Sequence, residues 1–123
     1  MTNRNEFIVG LDKVALIRKA RAEAIEDWGE DIPATLLFSK LGKAIASNFR
    51  SFSLEERTHI FEVVESGMLS TENDLKTLVA TGLLEAVASW CVSDSDLEQQ
   101  VDEALGQESK KYLLELNKWH QKN

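Results

Sequence analysis

The chain has 123 residues, of which 43% are hydrophobic and 28% are charged, and its formal net charge is −7. This length fits one compact domain over residues 1–123, and this composition excludes a chain that is disordered throughout. The single cysteine, Cys91, excludes an internal disulfide and is typical of a reducing compartment. The N-terminal residues lack the apolar core of a signal peptide, and no apolar run reaches ~20 residues. We therefore expect a cytoplasmic protein without a membrane span.

The negative charge lies almost entirely in the second half of the chain. Residues 1–57 hold nine basic and nine acidic residues, whereas residues 58–123 hold five basic and twelve acidic residues. A surface of this sign repels nucleic acids and anionic membranes, and it attracts basic proteins. A solubilising surface without any partner explains the same charge, so both interpretations stay open.

Helical spacing of apolar residues begins after a polar N-terminal segment. The residues from Leu11 to Trp28 present an apolar face at helical spacing, and Gly29 ends this helix. Asp31 and Pro33 indicate the start of a second helix, which we expect to reach about Phe49.

Two further helix starts carry capping patterns. Ser53 and Glu56 have the spacing of a capping box, which predicts a third helix that ends at about Met68. Thr71 and Asp74 repeat this spacing with a shorter acid. We therefore expect a fourth helix to start at the second box.

The stretch from Thr77 to Ser93 is the most apolar part of the chain, and Glu85 is its only charged residue. A helix without a charged face should have neighbours on most of its sides. Gly82 in its middle costs about 1 kcal/mol relative to alanine. This glycine predicts that a neighbouring helix approaches closely.

The C-terminal part predicts either one interrupted helix or two helices. The acidic segment Ser93 to Asp96 opens a helix, and Gly106 is a plausible break. The apolar stripe continues after the break with Tyr112, Leu113, Leu116 and Trp119. Since no window alternates as a strand would, we predict an all-α fold. It is a single-domain bundle of five or six short-looped helices around a central apolar helix at about residues 72–92.

Glu85 is a candidate general acid or base, because a carboxylate in an apolar helix can have a shifted pKa. The structural interpretation is an ion pair with Lys43, Arg50 or Arg57, since an unpaired buried charge is too costly. We favour the ion pair, because no second polar group suited to catalysis accompanies Glu85 on its helix.

His59 and Cys91 could in principle form a nucleophilic pair, and His59 with Glu62 could bind a metal ion. A metal site needs at least three ligands, however, and the only other histidine is His120. A surface histidine supported by Glu55 is the simpler interpretation. The chain also has no glycine-rich phosphate loop, no Cys or His array and no G-x-S-x-G motif. We therefore expect no enzyme, no metal site and no cofactor.

The three tryptophans, Trp28, Trp90 and Trp119, each lie near a predicted helix end. Aromatic side chains there usually close the end of a bundle core. No basic residues are interleaved with them, as a nucleic-acid stacking surface would require.

Acidic residues at helix starts have a local explanation, because carboxylates there complement the helix dipole and cap free amides. The residues explained in this way are Glu72, Asp74, Asp94 and Asp96. Those left without this explanation are Glu62, Glu65, Asp102 and Glu103. Some acidity therefore remains for the recognition of a partner.

Three segments resemble, in this order, a family of small bacterial helical proteins. They are Ile32-Pro33-Ala34-Thr35-Leu36-Leu37-Phe38 with Leu41-Gly42, Ile60-Phe61-Glu62-Val63-Val64-Glu65, and Val79-Ala80-Thr81-Gly82-Leu83-Leu84-Glu85-Ala86. The last segment is the most specific, and the resemblance spans about residues 26–90. Some members resemble immunity proteins that are encoded beside polymorphic or contact-dependent toxins.

The resemblance implies an immunity protein that binds and neutralises a cognate toxin domain, expected to be a basic nuclease, by covering its active site. It carries over no catalytic residue. The acidic residues expected to contact the toxin are Glu62, Glu65, Glu72, Asp74, Asp94, Asp96 and Glu98. The alternative is a non-catalytic interaction or regulatory subunit whose acidity serves only solubility.

Overall fold

The computed structural model describes residues 2–115, which form seven α-helices and no strand. Six of the helices are α1 (Arg4–Leu11), α2 (Ala15–Trp28), α3 (Ala34–Ser47), α4 (Leu54–Met68), α6 (Ser95–Ala104) and α7 (Gln107–Glu115). The remaining helix, α5, is continuous over residues 73–91 and contains Asn73–Thr77, a π-helical segment Leu78–Leu84, and Glu85–Cys91. The predicted all-α fold is confirmed, but the predicted count of five or six helices is wrong.

The additional helix is α1, which lies in the segment expected to be a polar lead-in. Asn3 caps it, since its side chain accepts a hydrogen bond from the Glu6 amide at 2.8 Å and the Glu6 carboxylate accepts one from the Asn3 amide. This reciprocal pair is a capping box, which satisfies two free amides. Phe7 and Leu11 then bury one face of α1 in the core.

Helix boundaries agree with the local signals at several of the predicted positions, among them Gly29, which is the C-cap of α2, and Asp94, which is the N-cap of α6. Ser53 and Glu56 form the predicted capping box of α4, and Gly106 separates α6 from α7 as expected. The second predicted box is wrong, because Glu72 is the N-cap of α5 and makes no side-chain cap.

Pro33, rather than Asp31, is the N-cap of α3, and it has no side-chain cap. Proline fixes its own backbone for a helix start but has no side-chain acceptor. Leu116, Trp119 and His120, which the sequence placed in or near the last apolar stripe, lie outside the described residues.

Helix α5 packs along α3, and it also contacts α4, α6 and α7. Its buried residues include Leu75, Val79 and Leu83, whereas Thr77 and Thr81 are exposed. The expected close approach at Gly82 is confirmed, because a Cβ atom there would lie 2.9 Å from the Cβ of Phe38.

The core is one cluster to which every described helix contributes. Phe7 of α1 stacks on Phe38 of α3 with ring centroids 5.5 Å apart, and Phe49 meets Phe61 edge to face at 6.0 Å. The expectation that tryptophans close the core is wrong for Trp28 and is not met by Trp90, since these side chains are 56% and 43% exposed. No helix in residues 2–115 has the length and apolar character needed to cross a membrane.

Candidate partner-binding groove

A groove of about 490 Å³ lies between α4 and α6. Its apolar lining contains Phe49 and Phe61, which are buried, and Leu54, which is 78% exposed. Its polar lining consists of Arg57, Thr58, Glu62, Glu65, Gln100 and Glu103. An exposed leucine framed by carboxylates is suited to a partner segment that is both basic and apolar. We call it the acidic groove.

Helical spacing directs the polar residues of both helices to this groove. Thr58, Glu62 and Glu65 follow one another at intervals of four and three residues on α4. Gln100 and Glu103 are three residues apart on α6. Residues at these intervals lie on one face of a helix, so each helix presents one polar face to the groove.

Two carboxylates of the acidic groove are available to a partner. Glu62 and Glu103 are both exposed, and neither makes a hydrogen bond or ion pair with another residue of the described range 2–115. The cation in the lining, Arg57, is held inside the groove, because its Nε donates to the carbonyl of Phe49, another lining residue, at 3.0 Å. Its guanidinium lies 4.4 Å from the centroid of the Phe49 ring.

Glu65, by contrast, accepts hydrogen bonds from other residues of the chain. Its Oε2 accepts from the amide of Glu108 at 2.7 Å, and its Oε1 accepts from the amide and the hydroxyl of Ser109 at 3.1 and 2.7 Å. This carboxylate of α4 therefore caps the start of α7. A Cβ atom on Gly106 would overlap the Glu65 carboxylate, so glycine is required for this approach.

The other expected contact residues separate into two groups. Asp96 lies four residues before Gln100 and shares the face of α6 that lines the groove. Glu72 and Asp74 are exposed at the start of α5, outside the groove lining, and Glu98 is half-buried on α6. The structure thus brings Glu62 and Glu65 together with Glu103, and it does not bring Glu72, Asp74 or Glu98 into the groove.

Asp94 also interacts with other residues of the chain. It caps α6 by accepting from the Leu97 amide at 3.0 Å, and it pairs with Arg50 at 3.2 Å. The hydrogen bond from Arg50 holds the pKa of Asp94 below its usual value. Because both charges are solvent-exposed, this pair adds little to stability.

Glu103 is among the carboxylates that the sequence leaves for recognition, although not among the expected contact residues, and Gln100 is in neither set. The signal for them was present, because Asp96, Gln100 and Glu103 follow one another at intervals of four and three residues. Leu54 was overlooked as well, since a leucine directly after an N-cap carries no local mark of its exposure.

The expected ion pair of Glu85 is wrong. Its Oε2 accepts a hydrogen bond of 2.6 Å from the hydroxyl of Tyr112 on α7. Of the three bases considered, Arg50 pairs with Asp94, Arg57 donates to a backbone carbonyl, and the Lys43 ammonium lies over the ring of Trp90. Tyr112 lies 27 residues after Glu85 in the sequence, so no local pattern links the two.

We expect Tyr112 to titrate above the ordinary tyrosine pKa of about 10. Burial raises the pKa of Tyr112, and the hydrogen bond to Glu85 adds to this effect. Since Tyr112 is the single tyrosine, the ultraviolet absorbance of phenolate follows it alone. The stability from this raised pKa is present below about pH 10 and is lost as the pH rises further, because the unfolded chain then releases its proton first.

The control for this titration is Glu85→Gln, in which the midpoint should move back towards the ordinary value. A native midpoint at the ordinary value in the unsubstituted chain would contradict the buried hydrogen bond.

His59 and Cys91 have separate structural roles. His59 is half-buried, and its Nε2 donates to the carbonyl of Gly10 at 2.7 Å, which ties α4 to α1. The expected support from Glu55 is therefore replaced by this contact. Cys91 is buried as predicted, and burial raises the pKa of its thiol to about 11. A thiol of this kind is a poor nucleophile near neutral pH.

Residues 2–115 contain no group of three or more His, Cys, Asp or Glu side chains placed to bind a metal ion. The comparison with curated proteins gives no match, and the comparison with solved structures gives none either. The profile of one family, described as a domain of unknown function (DUF7674), matches residues 14–121. The match covers all of the chain except its two ends, and the protein therefore belongs to the DUF7674 family.

Proposed function

We propose that this protein binds a basic protein partner through the acidic groove, and that the partner is a cognate toxin domain which it neutralises as an immunity protein. The toxin class that fits best is a nuclease, acting in the cytoplasm of the producing cell. The observation that carries the proposal is that the exposed carboxylates of Glu62 and Glu103 line the same groove as the exposed Leu54.

The chemistry of the groove suits lysine and arginine side chains. Their aliphatic stems can pack on the exposed Leu54 while their charged ends reach Glu62 and Glu103. Burial of the stems would supply affinity, and the charges would supply orientation and specificity. Both contributions come from the same short segment of a partner.

Neutralisation would follow from steric and electrostatic blockade. A nuclease that binds phosphates carries a positive active site, so an acidic protein is steered towards it and associates quickly. The same negative surface repels nucleic acids and anionic membranes, so we propose no direct contact with either.

The alternative is a non-catalytic interaction or regulatory subunit whose acidity serves only solubility. One observation favours it, because Glu65 and Asp94 have roles within the fold and need no partner to explain them. The alternative gives the acidic groove no role in binding. Charge reversal in the groove should therefore weaken partner binding under the first proposal and leave it unchanged under the alternative.

We expect Glu62→Lys with Glu103→Lys to weaken binding of the toxin domain encoded by the neighbouring gene by about 100-fold or more, because like charges would then face each other. Biolayer interferometry at two salt concentrations measures the affinity. Growth rescue on co-expression with that toxin domain measures neutralisation.

The matched control is Glu23→Lys with Glu26→Lys, which makes the same change in net charge at exposed positions of α2. Equal loss of binding in the two double variants would show that net charge alone acts and would refute the groove. Tight binding without growth rescue would favour the regulatory alternative over an immunity protein.

A further inference from the structure

A second groove, of about 410 Å³, lies between α3 and the C-terminal part of α5. Its lining consists of Leu36, Ser39, Lys40, Lys43, Ala86, Ser89 and Trp90. Both charged residues of this lining are lysines, so its sign is opposite to that of the chain as a whole. We call it the lysine groove.

Trp90 presents its indole ring to this groove, and its side chain is 43% exposed. The ammonium of Lys43 lies 5.6 Å from the centroid of the ring, within the range of a cation–π contact. Sequence reasoning found no base near the tryptophans, because this lysine comes from another helix. A flat ligand that displaces this ammonium from the exposed ring can stack on the indole, and its own negative charge can then pair with the lysine.

Neither lysine is neutralised by the part of the chain that the structure describes. Lys40 is half-buried and Lys43 is exposed, and neither forms an ion pair within residues 2–115. The hydroxyls of Ser39 and Ser89 add hydrogen-bond donors to the same lining. The groove therefore combines cations, donors and an aromatic face.

We infer that the lysine groove binds a small molecule in which a flat aromatic ring carries a phosphate or carboxylate group. The ring would stack on Trp90, and the anion would pair with Lys40 and Lys43. The volume falls within the range of about 300–1,000 Å³ that is usual for small-ligand sites. A long polyanion is disfavoured, because the net charge of −7 repels every one of its charges, whereas a small anion carries only one or two.

This inference is independent of the proposed function, because the lysine groove and the acidic groove share no lining residue. A result that refutes one of the two proposals therefore does not affect the other.

The test is a titration of the isotope-labelled full chain with AMP, adenosine, inorganic phosphate and indole-3-acetate, followed by nuclear magnetic resonance. We expect saturable shifts of the Trp90 indole N–H and the Ser89 amide with AMP, with indole-3-acetate, or with both. Saturation by AMP alone identifies a phosphate ligand, and saturation by indole-3-acetate alone identifies a carboxylate ligand. Adenosine and inorganic phosphate should each bind at least about tenfold more weakly, because each lacks one half of the contacts.

Two variants and their matched controls complete the test. Trp90→Ala and the pair Lys40→Gln with Lys43→Gln should each weaken binding by at least about fivefold. Trp28→Ala and the pair Lys13→Gln with Lys19→Gln, which change exposed residues elsewhere, should leave it unchanged. The inference is overturned if neither aromatic anion gives saturable shifts, if phosphate alone binds as well as AMP, or if Trp90→Ala binds like the unsubstituted chain.

Discussion

Replacing Gly42 with alanine should lower the free energy of unfolding by about 3 kcal/mol, although alanine favours a helix more than glycine does. A Cβ atom on Gly42 would overlap the carbonyl oxygen of Leu83 and would lie 2.9 Å from its carbonyl carbon. These are backbone atoms, which cannot turn aside as the end of a side chain can. Helices α3 and α5 would have to separate, and their contact is the centre of the core.

Urea denaturation followed by circular dichroism measures this loss. Gly82→Ala should be milder, because its Cβ would lie 2.9 Å from the Cβ of Phe38 and 3.3 Å from the Thr35 carbonyl oxygen, without the direct overlap with a backbone oxygen that Gly42→Ala creates. Ser47→Ala, at an exposed position of α3, is the control for helix propensity. A Gly42→Ala protein as stable as this control would refute the close packing of the two helices.

Replacing Glu65 with alanine should also destabilise the protein by about 3 kcal/mol, because it removes hydrogen bonds to a charged acceptor. The amides of Glu108 and Ser109 and the hydroxyl of Ser109 would lose their acceptor. Ser109 is fully buried, so water cannot easily replace the carboxylate. We expect α7 to loosen before the rest of the fold.

Hydrogen exchange of the Glu108 and Ser109 amides measures this loosening directly. Glu65→Gln keeps one acceptor oxygen and should have an intermediate effect. Glu62→Ala, one turn earlier on the same helix face, should leave exchange unchanged because Glu62 is exposed. Equal protection of these amides in Glu65→Ala and the unsubstituted chain would contradict the cap.

Local signals in the sequence predicted most of the fold. The capping box at Ser53 and the break at Gly106 were read correctly, because the interactions that fix them span only a few residues. The box at Asn3 has the same pattern and was overlooked within a polar segment. The count of helices was wrong for this reason, although the information was present.

The contacts that give carboxylates their roles could not be read from local pattern. Glu62 and Glu65 are both acidic residues on one face of α4, yet Glu65 caps a helix that starts more than forty residues later. Glu85 likewise finds Tyr112 from a distant helix. Only tertiary structure separates a carboxylate that holds the fold together from one that is free for a partner.

The same limit applies to the two grooves. The acidic groove required the side-by-side arrangement of α4 and α6, and the lysine groove required Lys43 of α3 to lie against Trp90 of α5. Composition indicated the excess of negative charge but not the lysines that stand apart from it. Charge averaged over half the chain does not predict the sign of one surface.

The π-helical segment Leu78–Leu84 gives α5 a place where its length can change. A π-helical turn inside an α-helix holds one extra residue, so a one-residue deletion there can be absorbed by a return to α-helical hydrogen bonding. The same deletion in the α-helical part Glu85–Cys91 cannot be absorbed in this way and would turn the residues after it by about 100°. We therefore expect deletion of the exposed Thr81 to be tolerated better than deletion of the exposed Ser89, which would move Trp90 away from Lys43 and Cys91 out of the core.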